Sequence, residues 1–167
     1  SANNGSPISS YRISRGIAGG SETFLTSVGA GVTTYTDSAV NTGSTYYYTI
    51  TAINGLGESN PSNEVSAAPS TAPAAPQAPS AVGGSQSVSL SWQPPAPNGG
   101  APVTGYNIYR GATSGSQTFL TSVGNVVTYT DSGLAPATTY YYKVTAVNTT
   151  GEGPASSVVS GTTAAPP

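Results

Sequence analysis

The stretch Leu134-Ala135-Pro136-Ala137-Thr138-Thr139-Tyr140-Tyr141-Tyr142-Lys143-Val144-Thr145-Ala146-Val147-Asn148 decides the fold of this chain. Successive side chains of a strand point to opposite faces, so Tyr140, Tyr142, Val144 and Ala146 share one face. Tyr141, Lys143, Thr145 and Val147 share the other. The first set suits a core and the second, with Asn107 and Tyr109, a solvated sheet. Working outward, Leu90 and Trp92, then Tyr106 and Ile108, carry the same two-residue spacing and are expected to meet the first set across a sandwich.

The same pattern occurs earlier in the chain. Tyr46-Tyr47-Tyr48 answers to Tyr140-Tyr141-Tyr142, Tyr11 to Tyr106, and Thr23-Phe24-Leu25-Thr26-Ser27-Val28-Gly29 to Thr118-Phe119-Leu120-Thr121-Ser122-Val123-Gly124, an internal repeat of 94 to 95 residues. In the second copy, short runs rich in Val, Ile, Tyr and Thr alternate with Gly, Pro, Asn and Ser clusters. Strands are predicted around 81–82, 87–92, 103–110, 119–123, 127–131, 139–148 and 156–162, and no helix. The first copy begins at the counterpart of the loop that follows Trp92, so it lacks the two strands ahead of that loop and is expected to keep only one strand of the sheet they build. Tyr11, Ile13, Tyr48 and Ile50 would then lie uncovered. The expected organisation is a partial domain over 1–67, a Pro/Ala-rich linker over 68–79, a complete domain over 80–163, and the start of a further linker over 164–167. The linker composition favours extended polyproline geometry at about 3.1 Å per residue, or roughly 35 Å in all.

Composition excludes several function classes. The chain has no His, Cys or Met, four Lys and Arg, six Asp and Glu, and a net charge of -2. Binding to nucleic acid through counterion release needs clustered basic residues, and these are scattered. No apolar run approaches the roughly 20 residues needed to span a bilayer, so no membrane insertion is expected. No nucleophile and base are paired and no metal cluster is apparent, so no catalytic residue, metal or cofactor is assigned. Asp37 and Asp131 lie in matching Thr-Tyr-Thr-Asp-Ser segments and read as strand terminators, and Glu58 and Glu152 as solvated loop charges.

At Leu134 to Asn148 the chain resembles the E–F corner and F strand of a fibronectin type III domain, at Ser89-Leu90-Ser91-Trp92 the B strand with its buried Trp, and at Thr104 to Arg110 the C strand. The resemblance covers residues 78–163. It implies an all-β, immunoglobulin-like sandwich in which Tyr140, and Tyr46 in the truncated first copy, are corner tyrosines and Trp92 a core residue.

The residues offer few binding surfaces. Tyr109 and Tyr141 are expected as outward neighbours on adjacent strands that could stack on sugar rings, although Ser14 replaces Tyr109 in the first copy. Asn4-Gly5-Ser6 and Asn148-Thr149-Thr150 are glycosylation acceptor triplets. Three functions are consistent with this reading: a noncatalytic spacer adjoining other domains of a longer secreted or surface protein, a filament subunit completed by strands of identical subunits, and a polysaccharide-binding module.

Overall fold

The computed structural model describes residues 5–166 and contains strands and no helix among them. Contacts divide the chain into two units, Ser1–Pro69 and Ser70–Pro167.

The second unit is a two-sheet sandwich. One sheet has the order β10-β7-β6, with β6 at Gln77–Gly84, β7 at Ser87–Gln93 and β10 at Thr128–Ser132. The other has the order β12-β11-β8-β9, with β13 also on β11; these are Gly105–Gly111 (β8), Thr118–Gly124 (β9), Thr139–Asn148 (β11), Gly151–Ala155 (β12) and Val159–Thr162 (β13). All pairings are antiparallel. Alternation sends Val88, Leu90 and Trp92 from one sheet, and Tyr106, Ile108, Tyr142, Val144 and Ala146 from the other, into a shared core with Leu134. The rings of Trp92 and Tyr106 lie 5.3 Å apart at centroid and tilted by 60°. Burying side chains of this size stabilises by roughly 1.5–3 kcal/mol each, so this layer dominates the unit's stability.

The first unit holds one sheet, of order β2-β1-β3-β4 with β5 also on β3: Ile8–Gly16 (β1), Thr23–Gly29 (β2), Tyr46–Asn54 (β3), Gly57–Glu58 (β4) and Val65–Ala67 (β5). The single strand expected on the opposite side does not form. Residues 34–38 match β10 in sequence but carry no ladder: β10 is hydrogen-bonded to β7, and the described residues of the first unit hold no counterpart of β7. The expected exposure is also uneven. Ile50 is 45% exposed where Val144 is 2%, and Tyr11 and Tyr48 are half-buried where Tyr106 and Tyr142 are buried, whereas Ile13 is covered, at 5%.

The segment read as a linker over 68–79 is structured instead. The Gly43 N–H donates to the Pro69 carbonyl in the first unit. In the second unit Thr71 N–H donates to Gly99 O at 2.8 Å and Ala74 N–H to Pro97 O at 3.1 Å, while Pro73 is fully buried. From Gln77 the chain enters β6, accommodating Pro79 at a register shift between Gln77 and Ser80. A Pro-rich backbone keeps its carbonyls and apolar rings, and here both find partners. Ser1 to Asn4 and Pro167, which the 1–67 and 164–167 assignments include, lie outside the described residues.

Candidate functional site

The most polar buried cluster of the second unit sits at one end of its sandwich. Asp131 on β10 is 4% exposed and accepts two bonds from Arg110 Nη1, at 2.9 and 3.1 Å, and one from the Tyr142 hydroxyl at 2.9 Å. Arg110 and Tyr142 belong to the sheet opposite Asp131, so the cluster clasps the two sheets together. Burial and the bond to Asp131 push the Tyr142 hydroxyl well above its ordinary pKa.

The first unit repeats the clasp. Arg15 Nη1 donates to Asp37 Oδ2 at 2.7 Å, the Tyr48 hydroxyl donates to the same oxygen at 3.0 Å, and Ala39 N–H donates to Oδ1 at 3.0 Å. With no strand ladder available there, these side-chain bonds tie the 33–39 segment to β1 and β3. Burial acts to raise the Asp37 pKa, but the bonds from Arg15, Ala39 and Tyr48 outweigh it and hold the carboxyl below the usual range. Both aspartates are therefore structural anchors that accept three hydrogen bonds each, and Asp37 also forms a turn through its bond from Ala39 N–H.

The corner tyrosines act on backbone. The Tyr140 hydroxyl accepts from Ala135 N–H at 3.2 Å and the Tyr46 hydroxyl from Asn41 N–H at 2.9 Å. A guanidinium lies over each ring, Arg110 at 5.7 Å from Tyr140 and Arg15 at 5.3 Å from Tyr46.

The outward aromatic pair lies on the adjacent strands β8 and β11. Tyr109 pairs directly with Lys143, and Tyr141 with Gly111, so the two tyrosines are diagonal. Tyr109 packs edge-on to Phe119, with centroids 5.9 Å apart, and the Lys143 ammonium lies 5.3 Å from its ring centre. Its hydroxyl donates to Glu152 at 2.7 Å, and Thr145 donates to the same carboxylate. Glu152 is thus no free loop charge; the Thr145 and Tyr109 hydroxyls lower its pKa. In the first unit Glu58 likewise accepts from Thr51 and from Arg12, whose guanidinium lies 4.7 Å from the Phe24 ring centre.

Asn148 is not an open glycosylation acceptor. It is 4% exposed, its amide donates to Thr71 O at 2.7 Å and Asn98 O at 3.2 Å, and its Oδ1 accepts from Thr150 and Gly151 N–H. Its chemistry is spent on holding the Pro-rich segment. The Asn4 triplet begins outside the described residues.

The first unit also presents a concave surface. Tyr11, Ile13 and Val28 of the first sheet, with Ile50 and the segment Val32 to Tyr35, line an apolar groove of about 230 Å³. Among the described residues no three His, Cys, Asp or Glu side chains gather where they could hold a metal ion, and no helix is long and apolar enough to cross a membrane.

Two antiparallel sheets, a buried Trp, a corner tyrosine and an intersheet Arg–Asp–Tyr clasp define an immunoglobulin-like sandwich module. The family model "Fibronectin type III domain" matches residues 73–162, and the chain belongs to that family. Exoglucanase B of Cellulomonas fimi is 36% identical over 135 residues, covering 75% of this chain and 12% of that protein. A Kelch domain-containing protein of Saccharolobus solfataricus is 33% identical over 129 residues, covering 77% of this chain and 18% of that protein. The chain therefore spans less than a fifth of either relative. Among solved structures, a titin segment superposes with a TM-score of 0.58 at 25% identity, over 72% of this chain and 41% of its own. The sixth fibronectin type III domain of human fibronectin type III domain containing protein 3 does so with a TM-score of 0.50 at 32% identity, over 59% and 92%.

Proposed function

We propose that this chain is a noncatalytic spacer that positions other modules of a longer extracellular protein. The observation that carries the reading is the use of its polar groups: Arg110, Asp131 and Tyr142, and their counterparts Arg15, Asp37 and Tyr48, bond to one another, and none is held ready for a substrate. The family membership and the small share of each relative that the chain covers support it, since such modules adjoin other domains. The test places the chain between two fluorescent proteins and follows energy transfer during a urea titration. A spacer gives a constant transfer efficiency up to its unfolding transition; a steady drift at low urea would contradict the reading.

Polysaccharide contact is the second reading, favoured by Phe119, which is 57% exposed beside Tyr109 and Lys143. It predicts retention on an insoluble polysaccharide that the double variant Tyr109→Ala, Tyr141→Ala loses. Absence of retention by the unaltered chain removes it.

A further inference from the structure

Asn-Gly pairs stand at Asn4-Gly5, Asn54-Gly55 and Asn98-Gly99, the first of them beginning outside the described residues. An asparagine is chemically labile when the next main-chain nitrogen can attack its side-chain carbonyl carbon, and a following glycine, lacking a Cβ, hinders that approach least. The two described pairs differ in what holds the side-chain amide. In both, Oδ1 accepts from the N–H two residues on, Leu56 at 2.9 Å for Asn54 and Gly100 at 3.0 Å for Asn98. That donor lies where negative charge develops when the carbonyl carbon is attacked, as in an oxyanion hole. The leaving nitrogen separates them. Asn54 Nδ2 donates to Ser6 O at 3.3 Å, and Asn148 Nδ2 donates to two carbonyls. Asn98 is exposed, and among the described residues its Nδ2 bonds to nothing and the Gly99 N–H has no acceptor.

We propose that Asn98 is a site of spontaneous covalent modification, deamidation through a succinimide, and that the change releases the Pro-rich segment around Thr71 and Ala74 from the second unit. Gly99 N gives its proton to a solvent base and bonds to Asn98 Cγ; the Cγ–Nδ2 bond breaks and the nitrogen leaves as ammonia. Water then opens the five-membered ring. Opening at Cγ leaves an aspartate in the ordinary main chain, whereas opening at the main-chain carbonyl carbon routes the chain through Cβ and Cγ and frees the former carbonyl as a carboxylate. The rerouted product meets a site with no slack. The Asn98 carbonyl accepts from Asn148 Nδ2 at 3.2 Å, Pro97 O accepts from Ala74 N–H at 3.1 Å, and Gly99 O accepts from Thr71 N–H at 2.8 Å. Gly99 lies so close to the segment that a Cβ on it would come within 2.2 Å of Thr71 O. A backbone lengthened by one carbon between Pro97 and Gly99 cannot keep both bonds to the segment. This inference concerns the ageing of the second unit and stands whether or not the chain acts as a spacer.

The test incubates the full chain, labelled with nitrogen-15, at mildly alkaline pH and follows the asparagine side-chain amides by NMR after return to neutral pH. The Asn98 pair is expected to disappear roughly tenfold faster than those of Asn54 and Asn148, with one ammonia released per signal lost, while hydrogen exchange at Thr71 and Ala74 quickens roughly tenfold in the product and Val144 is unchanged. The variant Asn98→Gln, whose longer side chain closes a ring far more slowly, keeps its side-chain signal and the protection at Thr71 through the same incubation. An Asn98 signal that outlasts or equals that of Asn54 would overturn the proposal. Loss of the Asn98 signal to the rerouted product with Thr71 and Ala74 still protected would overturn the release.

Discussion

Asp131 and Asp37 show how one side chain can stand in for a layer of packing. Asp131, itself buried, satisfies Arg110 and Tyr142, so Asp131→Asn replaces a charged acceptor by a group that can no longer match both donors. The expected loss is about 1–3 kcal/mol of second-unit stability, read from urea melts at neutral pH. For Asp37 the effect is expected in the acid limb. A carboxyl whose folded-state pKa is depressed below its unfolded value stabilises the fold above the ordinary carboxylate range, and that stabilisation fades as pH falls through the depressed value. Acid titration should therefore release the 33–39 segment, and Asp37→Asn should abolish that pH dependence while weakening the first unit at neutral pH; amide exchange at Ala39 reads both. The corner tyrosines were legible in the sequence because they lie in a contiguous run next to a proline or its counterpart. The clasp was not, because Arg110 and Asp131 are 21 residues apart and no periodicity links them. The one signal was the repeat itself, which keeps an Arg, an Asp and a Tyr in step in both copies.

Strands followed alternation closely, so β7, β9 and β11 fell where the period-two pattern placed them. The failures came where a segment's state depends on a partner. Residues 34–38 share the Thr-Tyr-Thr-Asp-Ser sequence of β10 but form no strand, since a ladder needs a neighbour as well as propensity. The Pro/Ala segment failed in the opposite sense: its composition suits an extended tether, yet Gly153 lets it dock. A Cβ on Gly153 would come within 2.0 Å of the Pro73 carbonyl oxygen, closer than any van der Waals contact. Gly153→Ala should therefore push residues 71–74 off the unit, breaking the bonds to Gly99, Pro97 and Asn148. The expected signature is faster amide exchange at Thr71 and Ala74 by at least tenfold, with Val144 at the core unchanged. Equal protection in the variant would show that the segment is held by something other than close approach at Gly153.

For the whole chain, the inequality of the two cores sets the order of unfolding. The second unit buries nine hydrophobic side chains in one cluster, whereas among the described residues of the first unit the buried hydrophobics are Ile13 and Tyr46. Unfolding in urea should accordingly proceed in two steps, and a single midpoint would not describe this chain. The first unit should melt at lower urea with a shallower slope, because slope follows the surface newly exposed and Ile50, Val32 and Tyr35 are exposed already. Trp92→Ala removes a core aromatic at a cost of about 3–5 kcal/mol and should erase or sharply lower the second step alone. Cutting the chain identifies which residues belong to that step. A fragment of residues 70–167 should keep its midpoint, whereas 80–167 loses the bonds at Thr71 and Ala74, buried Pro73 and the start of β6, and should be less stable by about 2–4 kcal/mol. Equal midpoints for the two fragments would return the Pro/Ala segment to the role of a tether, whereas a drop in that range makes it part of the second unit's fold.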